Sequence, residues 1–199
     1  MVTMRAARDE AFREAGIPPD GGDSEPWVDF KLGPLPMPFP NTDARRRTVK
    51  LHDLHHVLTG YRTDILGEFE ISAWELAAGC GRFGVAWYLN LMGLTAGLVS
   101  APGRTLRAFA RGRHSDTLYT ALSFDEVLDQ PVDEVRARLR VLAGPGTPTP
   151  SDVLRFGLAA LAGAALGLVT FTIALSPVML AAWVLSYGAY RRQLKHRAA

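Results

Sequence analysis

Four side chains able to bind a metal ion fall within seventeen consecutive positions of this chain. They are His52, Asp53, His56 and Glu68. If the first three lie on one α-helix, the histidines are one turn apart along its axis and about 40° apart around it. Paired imidazoles with this spacing can bind one cation, and Asp53 projects from the same arc. The spacing therefore predicts a divalent metal site.

Two helices joined by a tight turn must position these side chains. The sequence predicts a first helix over residues 49–59 that ends at Gly60, because glycine is the usual residue just past a helix end. A second helix is predicted from near residue 64 to residue 78, with Glu68 on its first turns. Glu75 lies seven residues further, within about 20° of the same face. We therefore predict that Glu75 accepts the free N–H of a ligand histidine.

The candidate ligands combine imidazole nitrogen with carboxylate oxygen. This donor set suits zinc, iron or manganese, and the residue types do not distinguish among them. His55 lies about 60° outside the ligand arc and is predicted to have a structural role. The helix lacks the glutamate that metalloproteases carry between their two histidines, so the zincin pattern is absent.

The pattern His52-Asp53-x-x-His56, followed after eleven residues by Glu68, resembles the metal motif of the Coq-four family of ubiquinone (coenzyme Q) biosynthesis proteins. The similarity extends to Gly60, to Gly67 and to the Trp74-Glu75 pair. A weaker similarity is the segment 129–139, a proline followed by a short Leu/Arg helix. The resemblance covers roughly residues 30–142.

This resemblance implies a mainly α-helical protein at a membrane face that holds a divalent metal with the same four residues. The implied activity is enzymatic, the C1 oxidative decarboxylation and hydroxylation of a polyprenylated aromatic acid. The implied partners are membrane lipid, the prenylated quinone precursor and other quinone-biosynthesis proteins. Two alternatives stay open: a non-catalytic, prenyl-binding scaffold of a biosynthetic complex, and a membrane-bound metal-dependent hydrolase or dehydratase.

Composition limits the class of protein. Hydrophobic residues make up 48% of the chain and charged residues 21%, so the apolar residues should be concentrated in particular segments. The net charge of +2 gives no indication of nucleic-acid binding. The single cysteine, Cys80, excludes an internal disulfide and a cysteine-rich zinc module. A homodimer remains open.

A long uncharged stretch distinguishes the end of the chain from the family pattern. Residues 156–190 carry no charge, and a straight helix of that length would run about 50 Å, against about 30 Å for a bilayer's hydrocarbon layer. Ser176-Pro177 offers a break, so a membrane hairpin is preferred over a single span with an interfacial helix. The basic residues that follow favour the cytoplasmic side of a membrane.

The remaining segments complete the expected organisation. Arg104, Arg107 and Arg111 form a basic amphipathic pattern, which fits contact with lipid headgroups or phosphate and equally fits a solvated helix face. Residues 117–124 are read as a strand or a loop. The predicted fold class is mainly α, with a flexible N-terminal arm (1–26), a metal-binding domain (27–143), a Pro/Gly linker (144–152), a membrane hairpin (153–191) and a basic tail (192–199).

Overall fold

The computed structural model describes residues 1–29, 31–32, 35–121, 123–141, 143–174 and 176–197. Within these residues the chain is mainly helical, as predicted. The helices are α1 (Met4–Ala15), α2 (Asp43–Thr59), α3 (Ile65–Ala78), α4 (Gly84–Ser100), α5 (Pro102–Gly112), α6 (Leu118–Ala121), α7 (Phe124–Leu128), α8 (Val132–Arg138), α9 (Pro150–Ala174) and α10 (Pro177–Arg197).

Local signals set the ends of the two helices that carry the candidate ligands. The Thr42 side chain accepts the Arg45 N–H at the start of α2, and Gly60 ends that helix in the left-handed conformation, with φ of 73°. Asp64 begins α3 by accepting the Gly67 N–H at 2.9 Å. The predicted helix, turn and second helix are confirmed.

The hydrophobic core lies where α2, α3, α4 and α5 meet. Leu54, Trp74, Leu94 and Leu118 are fully or almost fully buried there. Trp74 lies directly beside Glu75, so the same turn of α3 contributes one apolar and one charged side chain to the interior. The buried carboxylate of Glu75 therefore needs polar partners within the protein.

The N-terminal segment is docked onto the domain, in contrast to the flexible arm expected for residues 1–26. Met4 is fully buried, and its N–H donates to the Gln130 carbonyl at 2.9 Å. The Val132 N–H donates in turn to the Val2 carbonyl at 3.0 Å. Phe12 is also buried. Apolar burial and backbone pairing outweigh the charged composition of α1.

Four two-residue strands precede α2. They are β1 (Trp27–Val28), β2 (Lys31–Leu32), β3 (Leu35–Pro36) and β4 (Phe39–Pro40), paired antiparallel as β1 with β4 and β2 with β3. Proline is disfavoured in a helix interior, which fits the extended pairing of the described residues of this segment. β4 leads directly into Thr42.

The prediction of a strand or loop over residues 117–124 is wrong for most of that segment. Residues 118–121 form α6, and Ser123 begins α7 with a capping box in which Glu126 accepts the Ser123 N–H at 3.0 Å. The sequence-based view missed this box. Pro131 separates α7 from α8, where the predicted interruption lies.

Among the residues that the structure describes, one helix, α9, is long and apolar enough to cross a membrane, by length and composition alone. Only 17% of its most apolar stretch is buried, so it differs from the core helix of a soluble protein. Thr149 caps α9 by exchanging hydrogen bonds with Asp152. Pro177 begins α10, and residues 198–199 of the basic tail lie outside the described residues.

Candidate metal centre

Three of the four predicted ligands converge on one point. Nε2 of His52 lies 3.2 Å from Nε2 of His56 and 3.2 Å from one carboxylate oxygen of Glu68. The other oxygen of Glu68 lies 3.3 Å from Nε2 of His56. One donor atom from each residue can be chosen so that all lie within 4.8 Å of one another. The second helix thus brings Glu68 back over the histidine pair.

The outer nitrogens of both imidazoles have fixed acceptors. Nδ1 of His52 lies 2.9 Å from Oε1 of Glu75, and Nδ1 of His56 lies 3.0 Å from the Tyr61 carbonyl oxygen. A carbonyl or a carboxylate can only accept, so each Nδ1 carries the proton. Each Nε2 then presents a lone pair to the convergence point in the neutral ring. This arrangement orients histidine ligands toward metals.

The spacing of the donor atoms fits a small divalent cation. Metal–nitrogen bonds of about 2.0–2.1 Å in tetrahedral geometry place two ligand atoms about 3.3 Å apart. The Nε2–Nε2 separation of 3.2 Å matches that edge, and each imidazole nitrogen has a different Glu68 oxygen at 3.2 or 3.3 Å. Two facing lone pairs repel unless a cation or a proton lies between them. Three protein ligands also leave one coordination position free, as in catalytic zinc sites.

Glu75 supports the site from the protein interior. Its carboxylate is fully buried and has four partners: His52 Nδ1 at 2.9 Å, His55 Nδ1 at 2.7 Å, Asn90 Nδ2 at 2.7 Å and the Tyr119 hydroxyl at 3.0 Å. Burial by itself raises the pKa of Glu75, but the positive charge of His52 in its protonated form and the hydrogen bonds from His52 and His55 outweigh burial and lower it. The group is therefore an ionised acceptor.

Sequence reasoning missed Asn90 and Tyr119 as partners of that carboxylate. They come from α4 and from α6, and only tertiary packing brings them to α3. A signal was available for Asn90, because it is the one amide in an otherwise apolar helix. A buried amide requires hydrogen-bond partners.

His55 is structural, as the helical arc predicts. It is fully buried, and its Nε2 accepts the Leu118 N–H at 2.9 Å, so its proton must be on Nδ1. That proton is donated to Glu75. Both ring nitrogens are thereby used, and burial lowers the pKa of His55. The side chain cannot reach a metal without losing both bonds.

Asp53 is not a member of the convergent group. It lines a neighbouring cavity of about 130 Å³ with Lys50, Arg8 and Phe124 among its walls. Burial raises the pKa of Asp53 to about 6, against the lowering effect of His52 and His56. The structure therefore places the fourth predicted ligand beside the site, in a separate polar cavity.

Charge effects on Glu68 favour its role as a ligand. Burial raises the pKa of the Glu68 carboxyl, but hydrogen bonds and positive charge from His52 and His56 in their protonated forms lower it to about 2, and a cation bound between the neutral rings would act on this carboxylate in the same direction. Its side chain is 42% exposed, whereas that of His56 is 6% exposed. Glu68 thus forms the solvent side of the site, and a substrate or water can approach there.

Arginine side chains hold the end of α2 that carries His56. Arg111 donates to the Thr59 carbonyl at 2.9 Å, and Arg136 donates to the Val57 and Leu58 carbonyls, both at 2.9 Å. These carbonyls have no partner inside the helix. The bonds fix the last turn of α2.

The three arginines predicted to meet lipid or phosphate have different surroundings. Arg111 is buried, with its guanidinium 5.1 Å from the centre of the Tyr61 ring, so its assignment as a lipid contact is wrong. Arg104 is exposed and pairs with Glu70 through bonds of 3.0 and 2.6 Å. Arg107 is exposed. The helical pattern did not predict that Arg111 is buried while Arg104 and Arg107 are exposed.

Comparison with known proteins found no family model, no curated protein and no solved structure that matches this chain.

Proposed function

We propose that this protein binds one divalent metal ion through His52, His56 and Glu68 and uses it in the biosynthesis of a quinone. The observation that carries the proposal is the pair of Nε2 atoms 3.2 Å apart, each in a ring whose Nδ1 is fixed by an acceptor. Zinc, iron and manganese all suit this donor set.

The proposed reaction replaces the C1 carboxyl group of a prenylated aromatic acid by hydroxyl. The carboxyl carbon leaves as carbon dioxide, water supplies the hydroxyl oxygen, and dioxygen accepts the two electrons and two protons and leaves as hydrogen peroxide. A bound cation supplies a Lewis acid for the substrate's carboxylate and for charge that develops during the reaction. The resemblance of the His-Asp-x-x-His…Glu motif to the Coq-four family supports this choice of reaction.

The chain's own residues have defined tasks in this proposal. Glu75 and the Tyr61 carbonyl hold the two imidazoles in the tautomer that turns Nε2 toward the site. Glu68 closes the site from its solvent side. The exposed apolar surface of α9 supports membrane association, which a prenylated substrate requires.

The first test is the metal content of detergent-purified protein. We expect about one equivalent in the wild type, and loss of that metal in His52→Ala and in Glu68→Ala. His114→Ala is the matched control, since that histidine is exposed and outside the site. Absence of metal in the wild type after reconstitution refutes the site. It would also indicate that a proton on Nε2 of His52, in place of a metal, makes the contacts with His56 and Glu68.

The second test concerns the pathway. In a host that depends on this protein for its quinone, His56→Ala should lower the quinone level and accumulate the prenylated ring acid. Normal quinone levels with a metal-free variant would refute the quinone role. Tightly held zinc, in place of iron or manganese, would count against oxidative chemistry.

A scaffold without turnover is the second candidate. Its support is the Glu75 carboxylate, which connects α2, α3, α4 and α6 through buried hydrogen bonds. A metal beside such a junction would clamp α2 to α3. The enzyme requires a free coordination position on the metal, whereas the scaffold does not. Binding of a small exogenous ligand such as azide to a cobalt-substituted site favours the enzyme, whereas a closed site favours the scaffold.

A further inference from the structure

Helices α4 and α9 lie side by side and antiparallel. Thr95 Oγ1 donates to the Ala160 carbonyl at 3.5 Å, and the Tyr88 hydroxyl lies 3.3 Å from Thr170 Oγ1. Between these contacts Gly163 packs so closely on the Leu91 carbonyl that any side chain there would overlap it. The apolar middle of α9 thus follows α4 for most of its length.

The other flank of α4 carries α3. Asn90 donates to Glu75, and the backbone at Gly93 packs against Ser72. α3, α4 and α9 therefore form neighbouring elements of one layer. Glu70, which pairs with Arg104, lies on α3 close to this contact.

This layer does not suit an upright crossing of a bilayer by α9. An upright α9 would carry α4 and α3 to the same depth. Glu68 and Glu70, both partly accessible, would then lie in hydrocarbon, where charged groups are costly. An orientation parallel to the membrane places all three helices at the depth of the headgroups, where Glu68 and Glu70 can reach water, and turns the outer faces of α4 and α9 toward lipid.

The outer faces of both helices are apolar and regularly spaced. On α9 the exposed side chains follow steps of four and three residues, and they include Leu154, Leu158, Leu161 and Leu168, the last two each 69% exposed. On α4 the same spacing includes Leu89 and Val99, the latter 84% exposed. Residues 84–100 and 156–174 contain no charged residue.

Charged residues border this surface. The exposed Arg82 precedes α4, the exposed Arg107 lies on α5 directly after it, and the exposed Arg155 stands at the start of α9. Phe109 of α5 contacts Phe156 of α9, with ring centres 5.6 Å apart, so the two basic positions on these helices share one end of the pair. Such a border complements anionic headgroups.

From these observations we infer that α4 and α9 together form a lipid-binding face that rests in one leaflet of an anionic bilayer, parallel to its plane. A second copy of the chain suits this face less well. A helix–helix seam is a narrow stripe with polar flanks, whereas apolar side chains on α9 extend from Leu161 around to Val169 and Phe171.

The lipid-binding face itself is inferred independently of the proposed function. Only its connection to the metal centre rests on that function. Asn90 joins the lipid-binding face to Glu75 and thereby to His52. The metal centre then lies two hydrogen bonds behind α4, the helix whose outer face meets lipid.

The experiment uses the full chain with Cys80→Ala and one new cysteine at a time, each labelled with an environment-sensitive fluorophore. Leu89→Cys and Leu161→Cys report the two helices, and Asp133→Cys, which is 87% exposed, is the matched control. Vesicles contain phosphatidylglycerol and phosphatidylcholine, with bromine on the acyl chains as quencher. A second variant, Ser176→Cys, tests sidedness with a membrane-impermeant maleimide added outside.

We expect quenching at positions 89 and 161, several-fold above that at 133, and labelling of Ser176→Cys from the outside. Labelling of Ser176→Cys only after vesicle lysis would show a crossing helix and overturn the inference. Quenching at 161 without quenching at 89 would show that α4 does not belong to the lipid-binding face and would also overturn it. Disulfide dimers of Leu161→Cys without quenching would identify a second copy as the occupant. None of these readouts depends on metal or turnover, so they fail or succeed independently of the proposed function.

Discussion

The Oε1 atom of Glu75 lies 2.9 Å from Nδ1 of His52, and the same oxygen lies 2.7 Å from Nδ1 of His55. One carboxylate oxygen on α3 therefore orients two neighbouring imidazoles on α2. The first of these rings points toward the candidate metal, and the second points into the core. A single acid thus links the site to the stability of the fold.

Glu75→Gln should weaken metal binding by about 10–100-fold, as is typical when the partner of a ligand histidine is lost. The amide has one acceptor oxygen in place of two, and its NH₂ group would face donors such as Asn90 and Tyr119. The dissociation constant can be measured by competition with a coloured chelator. Glu70→Gln, on the same helix but paired with Arg104, should leave the affinity unchanged.

Asp53→Asn should retain about one equivalent of metal, because Asp53 lies outside the convergent group. The result separates a three-ligand site from the four-ligand site that the motif predicts. The measurement is the metal content of Asp53→Asn and of His56→Ala. Loss of metal in both variants would support the four-ligand site.

Gly163→Ala should destabilise the α4–α9 pair by about 1–3 kcal/mol, because the added methyl group would overlap Thr95 and the Leu91 carbonyl. Gly157→Ala, on the same helix with no neighbour within 4 Å, should instead stabilise α9 by about 0.5–1 kcal/mol. Limited proteolysis of the 144–149 segment in detergent reports both effects. Equal cleavage rates in the two variants would contradict the packing.

The Cys80 thiol should react slowly in the native protein at pH 8. Burial raises its pKa to about 12, so only about one part in 10,000 is thiolate at that pH. Labelling with a chromogenic disulfide should be fast in denaturant and, on the same timescale, for an Asp133→Cys variant. Complete labelling of native wild-type protein within minutes would show that α3 and α4 open at this point.

Arg111→Ala should lower stability by about 1–3 kcal/mol, since it leaves the Thr59 carbonyl without its donor. It should also weaken metal binding, because the ring of Tyr61 loses its guanidinium neighbour and the Tyr61 carbonyl positions His56. Arg107→Ala should change stability by less than about 0.5 kcal/mol. Thermal unfolding with and without added metal measures both the change in stability and the change in metal binding.

Local signals predicted the parts of the fold that depend on neighbours in sequence. Gly60 and Asp64 stand where α2 ends and α3 begins, and Glu75 lies within hydrogen-bond distance of His52, as its seven-residue spacing from Glu68 suggests. These features follow from helix period and capping, which operate over a few residues.

Features that depend on packing were not accessible in the same way. Helical period alone places Asp53 on the ligand arc, but the docked α1 and the loop after it enclose that carboxyl in another cavity. Similarly, Arg111 shares a basic pattern with Arg107, but tertiary packing, which includes its bond to the Thr59 carbonyl and its contact with Tyr61, buries it. Segments far away in sequence determine which face of each helix is buried.

The pairing of residues 2–4 with residues 130–132 constrains how the chain folds during synthesis. Val2 and Met4 have their backbone partners almost 130 positions later, so α1 cannot take its native place until α8 has left the ribosome. α1 can pack on α2 as soon as both are made, but its backbone pairing waits for residues 130–132. The docking of this helix is therefore completed only after the metal-binding helices have been synthesised.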